Sequence, residues 1–307
     1  MYKIGENIHI ISPKVKEALA ERDGAFFVDL ARKQKEAGAD AIDLNIGPRK
    51  KDGPEVVEWL VDCMQEAVPG TTISFDTTNL AAIETGLKLW GSDAIINSTS
   101  AEPERLENVP PLAAEYGAKI IALCMEKSGI PVGADARVGI AMETLIPRAE
   151  ELGIPMENLL VDPLVLTVSG CQEYVPEAIE AVRMIKMVAD PAPMTVVGLS
   201  NVGNQVPYEM RPLLNLVYMV MLMAAGLDAA IIDPLDTKLN DAIKSVQTRD
   251  DSTPVKALYL KLHDAVAAME ELQPEDVDMD DPKQAEIWKT VQVLLNKVIY
   301  TDSYLQF

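Results

Sequence analysis

Eight short runs rich in β-branched and apolar residues recur along this chain, and longer stretches with helical periodicity separate them. The runs span residues 3–8, 40–47, 71–77, 93–99, 118–125, 159–163, 195–201 and 228–234. Between them, residues 27–37, 54–67, 80–90, 137–152, 174–188 and 212–225 carry amphipathic or apolar-periodic patterns. Strand followed by helix, repeated, calls for parallel strands with helical crossovers, since a parallel pair cannot be joined by a tight turn. Eight such units predict an α/β protein of the (β/α)₈ TIM-barrel class. An open doubly wound sheet stops more often at about five or six strands and shows an early phosphate-binding glycine turn. Neither GxGxxG nor a GxxxxGK motif occurs.

Junctions such as "EAGADAIDL", "EYGAKIIAL" and "AAGLDAAII" place glycine just past a helix and directly before a strand, where its left-handed conformation closes the helix. Residues 1–307 therefore read as one barrel domain. The rhythm breaks after the eighth run. Residues from about 244 to 287 hold the helical piece "VKALYLKLHDAVAAMEEL" and the acidic run "QPEDVDMDDPKQAE", expected as an insertion with a mobile linker. A last helix is expected over "AEIWKTVQVLLNKVIY".

Forty-eight acidic against 27 basic residues give a net charge of −21, a field that repels nucleic-acid backbones and anionic membrane surfaces. No apolar run approaches the length of a membrane span, and the three cysteines, Cys63, Cys124 and Cys171, form no CxxC pair. A cytoplasmic protein without a metal of its own is expected.

In a barrel of this kind the C-terminal strand ends meet at one face, where the connecting loops build the site. Those ends supply Glu6, Asn7, Asp43, Asn45, Asp76, Asn97, Cys124, Glu126, Asp162, Ser200, Asn201 and Asp233. Asp and Asn dominate, and His, Lys and Arg are scarce. Such a set suits neither a phosphate nor a zinc ion. Carboxylates and carboxamides do suit a flat heterocycle with its own donors and acceptors, a pterin among them, because each can make paired hydrogen bonds.

The motifs "IGEN", "AIDLNIG", "FDTTNLAAIETGLK", "INSTSAE", "VDPLVL", "KMVADPAPMTVVGLSNV" and "GLDAAIID" occur in an order and spacing that resemble the methyltetrahydrofolate:corrinoid/iron-sulfur protein methyltransferases. The resemblance covers residues 1–235 and resumes near residue 288. It extends to the folate module of cobalamin-dependent methionine synthase and, more distantly, to dihydropteroate synthase. It implies a pterin-binding barrel that takes tetrahydrofolate or 5-methyltetrahydrofolate as substrate, a corrinoid carried by a partner protein, and a homodimer. It further implies that Asp76, Asn97 and Asp162 hold the pterin ring, that Asn201 lies near N5, and that Gly198 and Ser200 shape the floor. Glu6, Asp43 and Asn45 are further candidate contacts. For Asp43 and Asn45 a structural hydrogen bond to a neighbouring strand is an equal reading. The chain departs from the family pattern at Asn7 and His9, where an arginine and an asparagine are usual.

Methyl transfer between N5 and cobalt is an in-line displacement with an amine as a poor leaving group. A hydrogen bond that tightens as charge develops on N5 lowers that barrier. Asn201 can donate or accept by turning its amide, whereas a carboxylate would add fixed charge and a histidine would titrate. The proton is expected from solvent or from a network through Asp76. Either direction of transfer fits, acetogenic or O-demethylating. The alternatives are a dihydropteroate synthase-like enzyme, which would want basic residues for a pyrophosphate, and a non-catalytic folate-binding subunit.

Overall fold

The computed structural model describes residues 1–306. Eight parallel strands close into a barrel in sequence order: β1 Tyr2–His9, β2 Ala41–Asn45, β3 Thr72–Asp76, β4 Ala94–Ser100, β5 Lys119–Leu123, β6 Leu159–Asp162, β7 Met194–Gly198 and β8 Ala229–Ile232. The eight-run pattern is thus the barrel itself. Helices Gly24–Glu36, Gly53–Ala67, Leu80–Trp90, Tyr174–Ile185 and Arg211–Ala224 fall on the periodic stretches. Three short helices, Pro13–Glu21, Pro103–Asn108 and Pro110–Tyr116, lie outside them; each opens with proline, whose missing N–H costs nothing in a first turn.

Side chains alternate along the strands, interrupted by bulges in β1 and β4, and the alternation separates an inner core from an outer one. Inward residues Ile4, Ala41, Ile95, Ile121, Leu160, Val196 and Ala229 pack into an apolar plug across the lower barrel. Outward residues such as Ile42, Leu44, Phe75 and Ile96 join the helices of one half of the outer layer, and Val197, Ala230 and Ile232 those of the other. Two or more steps further along the same inward rows stand Glu6, Asp43, Asn45, Asp76, Asn97 and Asp162. The barrel interior is therefore dry below and polar above.

Residues 244–287 are packed onto this scaffold, where the sequence pointed to a mobile linker. Helix Pro254–Ala267 buries Leu258, Tyr259, Leu260, Leu262 and Val266 in the same cluster as helices Arg211–Ala224 and Thr237–Thr248. Leu272 and Val277 anchor the acidic stretch into that cluster, because apolar residues punctuate its charges. The last helix, Pro282–Leu294, stops short of the expected residue 300, since Asn296 takes a left-handed conformation at φ 55°.

Candidate active site

On one wall of the mouth, Asn45, Asp76 and Asn97 stand side by side in register on β2, β3 and β4. The amide of Asn45 donates to Asp76, Ser74 donates its hydroxyl to Asp43, and Asn97 donates to Asp43 at 3.2 Å. Asp43 is only 2% exposed; burial first, and then the Asp76 charge, hold its carboxyl well above the ordinary range. Burial likewise lifts Asp76 to about 6, against the hydrogen bonds from Asn45 and Asp43. The two acids form a buried pair that retains a proton more readily than either alone.

β1 reaches the same layer through a bulge. Gly5 pairs with Ile42 but Ile8 with Leu44, so one extra residue opposes Asp43. The insertion flips the strand's faces: Ile4 lies in the inner plug, whereas Ile8 lies in the outer core. The buried side chain of Gln34 accepts the unpaired Asn7 N–H at 3.2 Å, which secures the bulge. The two bulge side chains then reach past the ends of β7 and β8. Glu6 accepts from the Ser200 hydroxyl at 2.9 Å, and Asn7 donates to Asp233 at 2.8 Å. Burial raises the Glu6 carboxyl to about 7, with Ser200 opposing and Asp233 adding to the rise.

Asp162 ends β6, 5% exposed, and one of its oxygens accepts the Leu164 N–H at 2.7 Å. Burial pushes it up to about 7 despite that bond and the nearby Arg137. Arg137 is itself completely buried and donates to the backbone carbonyls of Pro131, Val132, Pro163, Leu164 and Tyr174. It fastens the loops after β5 and β6 together behind Asp162. Asn201 sits on the one-turn helix Leu199–Gly203 that follows β7, exposed, its carbonyl accepting from the Asn204 amide at 3.1 Å. A Cβ on Gly198 would lie 2.8 Å from the Asn201 amide nitrogen, so the glycine leaves the room that this side chain occupies.

Hydrogen bonds thus join Asn45 to Asp76, Asn97 and Ser74 to Asp43, and Ser200 to Glu6, while the side chains of Asp162 and Asn201 bond only within their own loops. In an eight-stranded barrel, β3 lies opposite β7 and β2 opposite β6. Asp76 therefore faces the turn of Asn201 across the mouth, and Asp43 faces Asp162. Cys124 belongs to the outer core. Reading strand ends alone misses Ser74, Gln34 and Arg137; only the inward alternation of β3 could flag Ser74.

The description of the family model that matches residues 12–233 is pterin binding enzyme. The chain belongs to the pterin-binding enzyme family. This pterin-binding enzyme is 28% identical over 245 residues to the methylcorrinoid:tetrahydrofolate methyltransferase of Eubacterium limosum, covering 79% of this chain and 89% of that protein. With the methionine synthase of Mycobacterium leprae it shares 29% identity over 239 residues, which is 75% of this chain but 20% of that longer protein. The dihydropteroate synthase of Thermus thermophilus superposes with a TM-score of 0.58 at 18% identity, covering 80% of this chain and 93% of that one, a likeness of fold. Among the described residues no helix is long and apolar enough to cross a membrane.

Proposed function

We propose that this pterin-binding enzyme moves a methyl group between N5 of tetrahydrofolate and the cobalt of a corrinoid carried by a partner protein. The observation that carries the reading is the opposition, across one mouth, of a carboxylate–carboxamide wall at Asp76 and Asn97 and a neutral amide at Asn201. Alignment with the methylcorrinoid:tetrahydrofolate methyltransferase over most of both chains supports it. Among the described residues, the buried Oδ1 atoms of Asn45 and Asn7 have no hydrogen-bond partner, so this layer has acceptors to offer to the N–H groups of a pterin. Among the same residues no lysine or arginine occupies an inward strand position above the plug, which weighs against the pyrophosphate chemistry of a dihydropteroate synthase.

In this reading Asp76, Asn97 and Asp162 orient the ring, with Asp43 and Asn45 bracing them from β2. Asn201 meets N5 and follows its changing charge, a contact that matters most in the transition state. The corrinoid supplies a cobalt centre able to accept or release a methyl group. The test mixes the protein with methyltetrahydrofolate and cob(I)alamin and follows the cobalamin spectrum, then repeats it in reverse with methylcobalamin and tetrahydrofolate. Methyl transfer in the wild type and a loss of about 10²–10³ in rate for Asn201→Ala, with folate binding kept, are expected. Folate binding without transfer in either direction would leave a binding subunit instead.

A further inference from the structure

A folate has two chemically unlike ends. Its pterin ring is flat and uncharged, whereas its p-aminobenzoyl-glutamate tail ends in the α and γ carboxylates of a glutamate, with a further carboxylate for each γ-linked glutamate added. The tail leaves the ring at the carbon next to N5 and passes out among the loops above the strands. The mouth below those loops is acidic, with Glu6, Asp43, Asp76, Asp162 and Asp233 around it, in a chain of net charge −21. Such a field opposes an anionic tail.

One loop reverses the sign. Between β2 and the helix Gly53–Ala67 the chain reads Gly47, Pro48, Arg49, Lys50, Lys51 and Asp52, the only place in the sequence where three cations stand in a row. Lys50 and Lys51 are exposed. Among the described residues only Arg49 of the three has an ion-pair partner, Asp52 at 2.5 Å, and even there the buried Nε has no hydrogen-bond partner. The loop is pinned beside the wall of Asp76 and Asn97. Thr77 donates its hydroxyl to the Gly47 carbonyl at 2.6 Å, and the Asn79 amide donates to the Arg49 carbonyl at 2.9 Å, both from the turn that follows Asp76. Elsewhere on the rim Arg105 is occupied by the carbonyls of Thr78 and Ser98, Arg137 is buried on backbone carbonyls, and Lys127 adjoins Glu126.

Resting on the methyl-transfer reading, we propose that the β2 loop at residues 49–51 binds the carboxylates of the folate tail, so that the preferred substrate is a folate bearing several γ-linked glutamates. Lysines are point charges on flexible stems, which suits a chain of repeated carboxylates better than one fixed anion. The Asp and Asn side chains at the strand ends then read the ring, and the loop reads the length of the tail. Because these contacts are exposed, each adds little, and the gain grows with their number and shrinks with salt.

The test is calorimetric Kd measurement, at low and high salt, for the mono-, tri- and pentaglutamate forms of tetrahydrofolate and for tail-free 6-methyltetrahydropterin. Wild type is expected to bind the pentaglutamate about tenfold more tightly than the monoglutamate at low salt, and by less at high salt. Lys50→Gln/Lys51→Gln should abolish that ratio, and Lys50→Arg/Lys51→Arg should keep it. A wild-type Kd that ignores tail length, a ratio that survives in the glutamine variant, or a loss of equal size for 6-methyltetrahydropterin overturns the tail site and leaves the methyl-transfer reading intact. A tail-length ratio that depends on Lys50 and Lys51, without methyl transfer to cob(I)alamin, supports the tail site and overturns the methyl-transfer reading. Absence of binding by any of these ligands overturns both.

Discussion

At the scale of single residues, Gly198 decides where the Asn201 amide can be. The Cβ of an alanine there would crowd the far end of a flexible side chain rather than backbone, so the fold should survive and the amide should move. Gly198→Ala is therefore expected to unfold within a few degrees of wild type and yet to lose about tenfold or more in the proposed methyl transfer, because that proposal sets the Asn201 amide against N5, where displacement is costly. Differential scanning calorimetry with stopped-flow spectroscopy checks both halves. Asp76, Asn97, Asp162 and Asn201 are legible in the sequence as polar residues closing apolar runs. Ser74 and Gln34 are not: one lies inside a strand and the other in mid-helix, and their meaning depends on the neighbours that register and the bulge bring to them.

Among the elements, β1 departs furthest from what its sequence announces. The run "KIGENI" reads as an ordinary strand, and nothing in its composition marks the extra residue that flips its faces. Gly5 hides the reason. A Cβ at that position would meet the Gln34 side-chain oxygen at 2.4 Å, and Gln34 is wholly buried with nowhere to retreat. Gly5→Ala is expected to cost about 1–3 kcal/mol by overpacking. It should also break the Gln34 grip on the bulge, so that the proposed methyl transfer falls more than stability explains; urea unfolding and activity measured on the same samples separate the two. Helices Gly53–Ala67 and Leu80–Trp90 are readable almost to the residue, because an apolar stripe at helical spacing needs no partner to be recognised. The segment 244–287 misleads for the converse reason: its acidic surface is what the sequence advertises, and the few apolar residues that pin it acquire weight only against the helix Arg211–Ala224.

For the whole molecule, the acids at the mouth set a pH dependence whose sign can be worked out. Glu6, Asp76 and Asp162 are raised to about 7, 6 and 7 in the folded protein, above the ordinary carboxylate range. The folded state therefore binds protons that the unfolded chain has released. Their stabilising contribution is complete below about pH 4 and is lost as pH rises through about 6 to 7. Asp162→Asn keeps an oxygen for the Leu164 N–H and removes one such ionisation. Its Tm relative to wild type should rise from pH 5 to pH 8, by about 2–4 °C for each kcal/mol recovered, while pterin binding weakens. A Tm difference that stays flat across that interval would contradict the assignment. The dry plug beneath those acids has a further consequence. Because only the final inward side chains of each strand look out over it, the specificity of such a barrel can be rewritten at a handful of addresses during descent, while the folding instructions beneath them pass down unaltered.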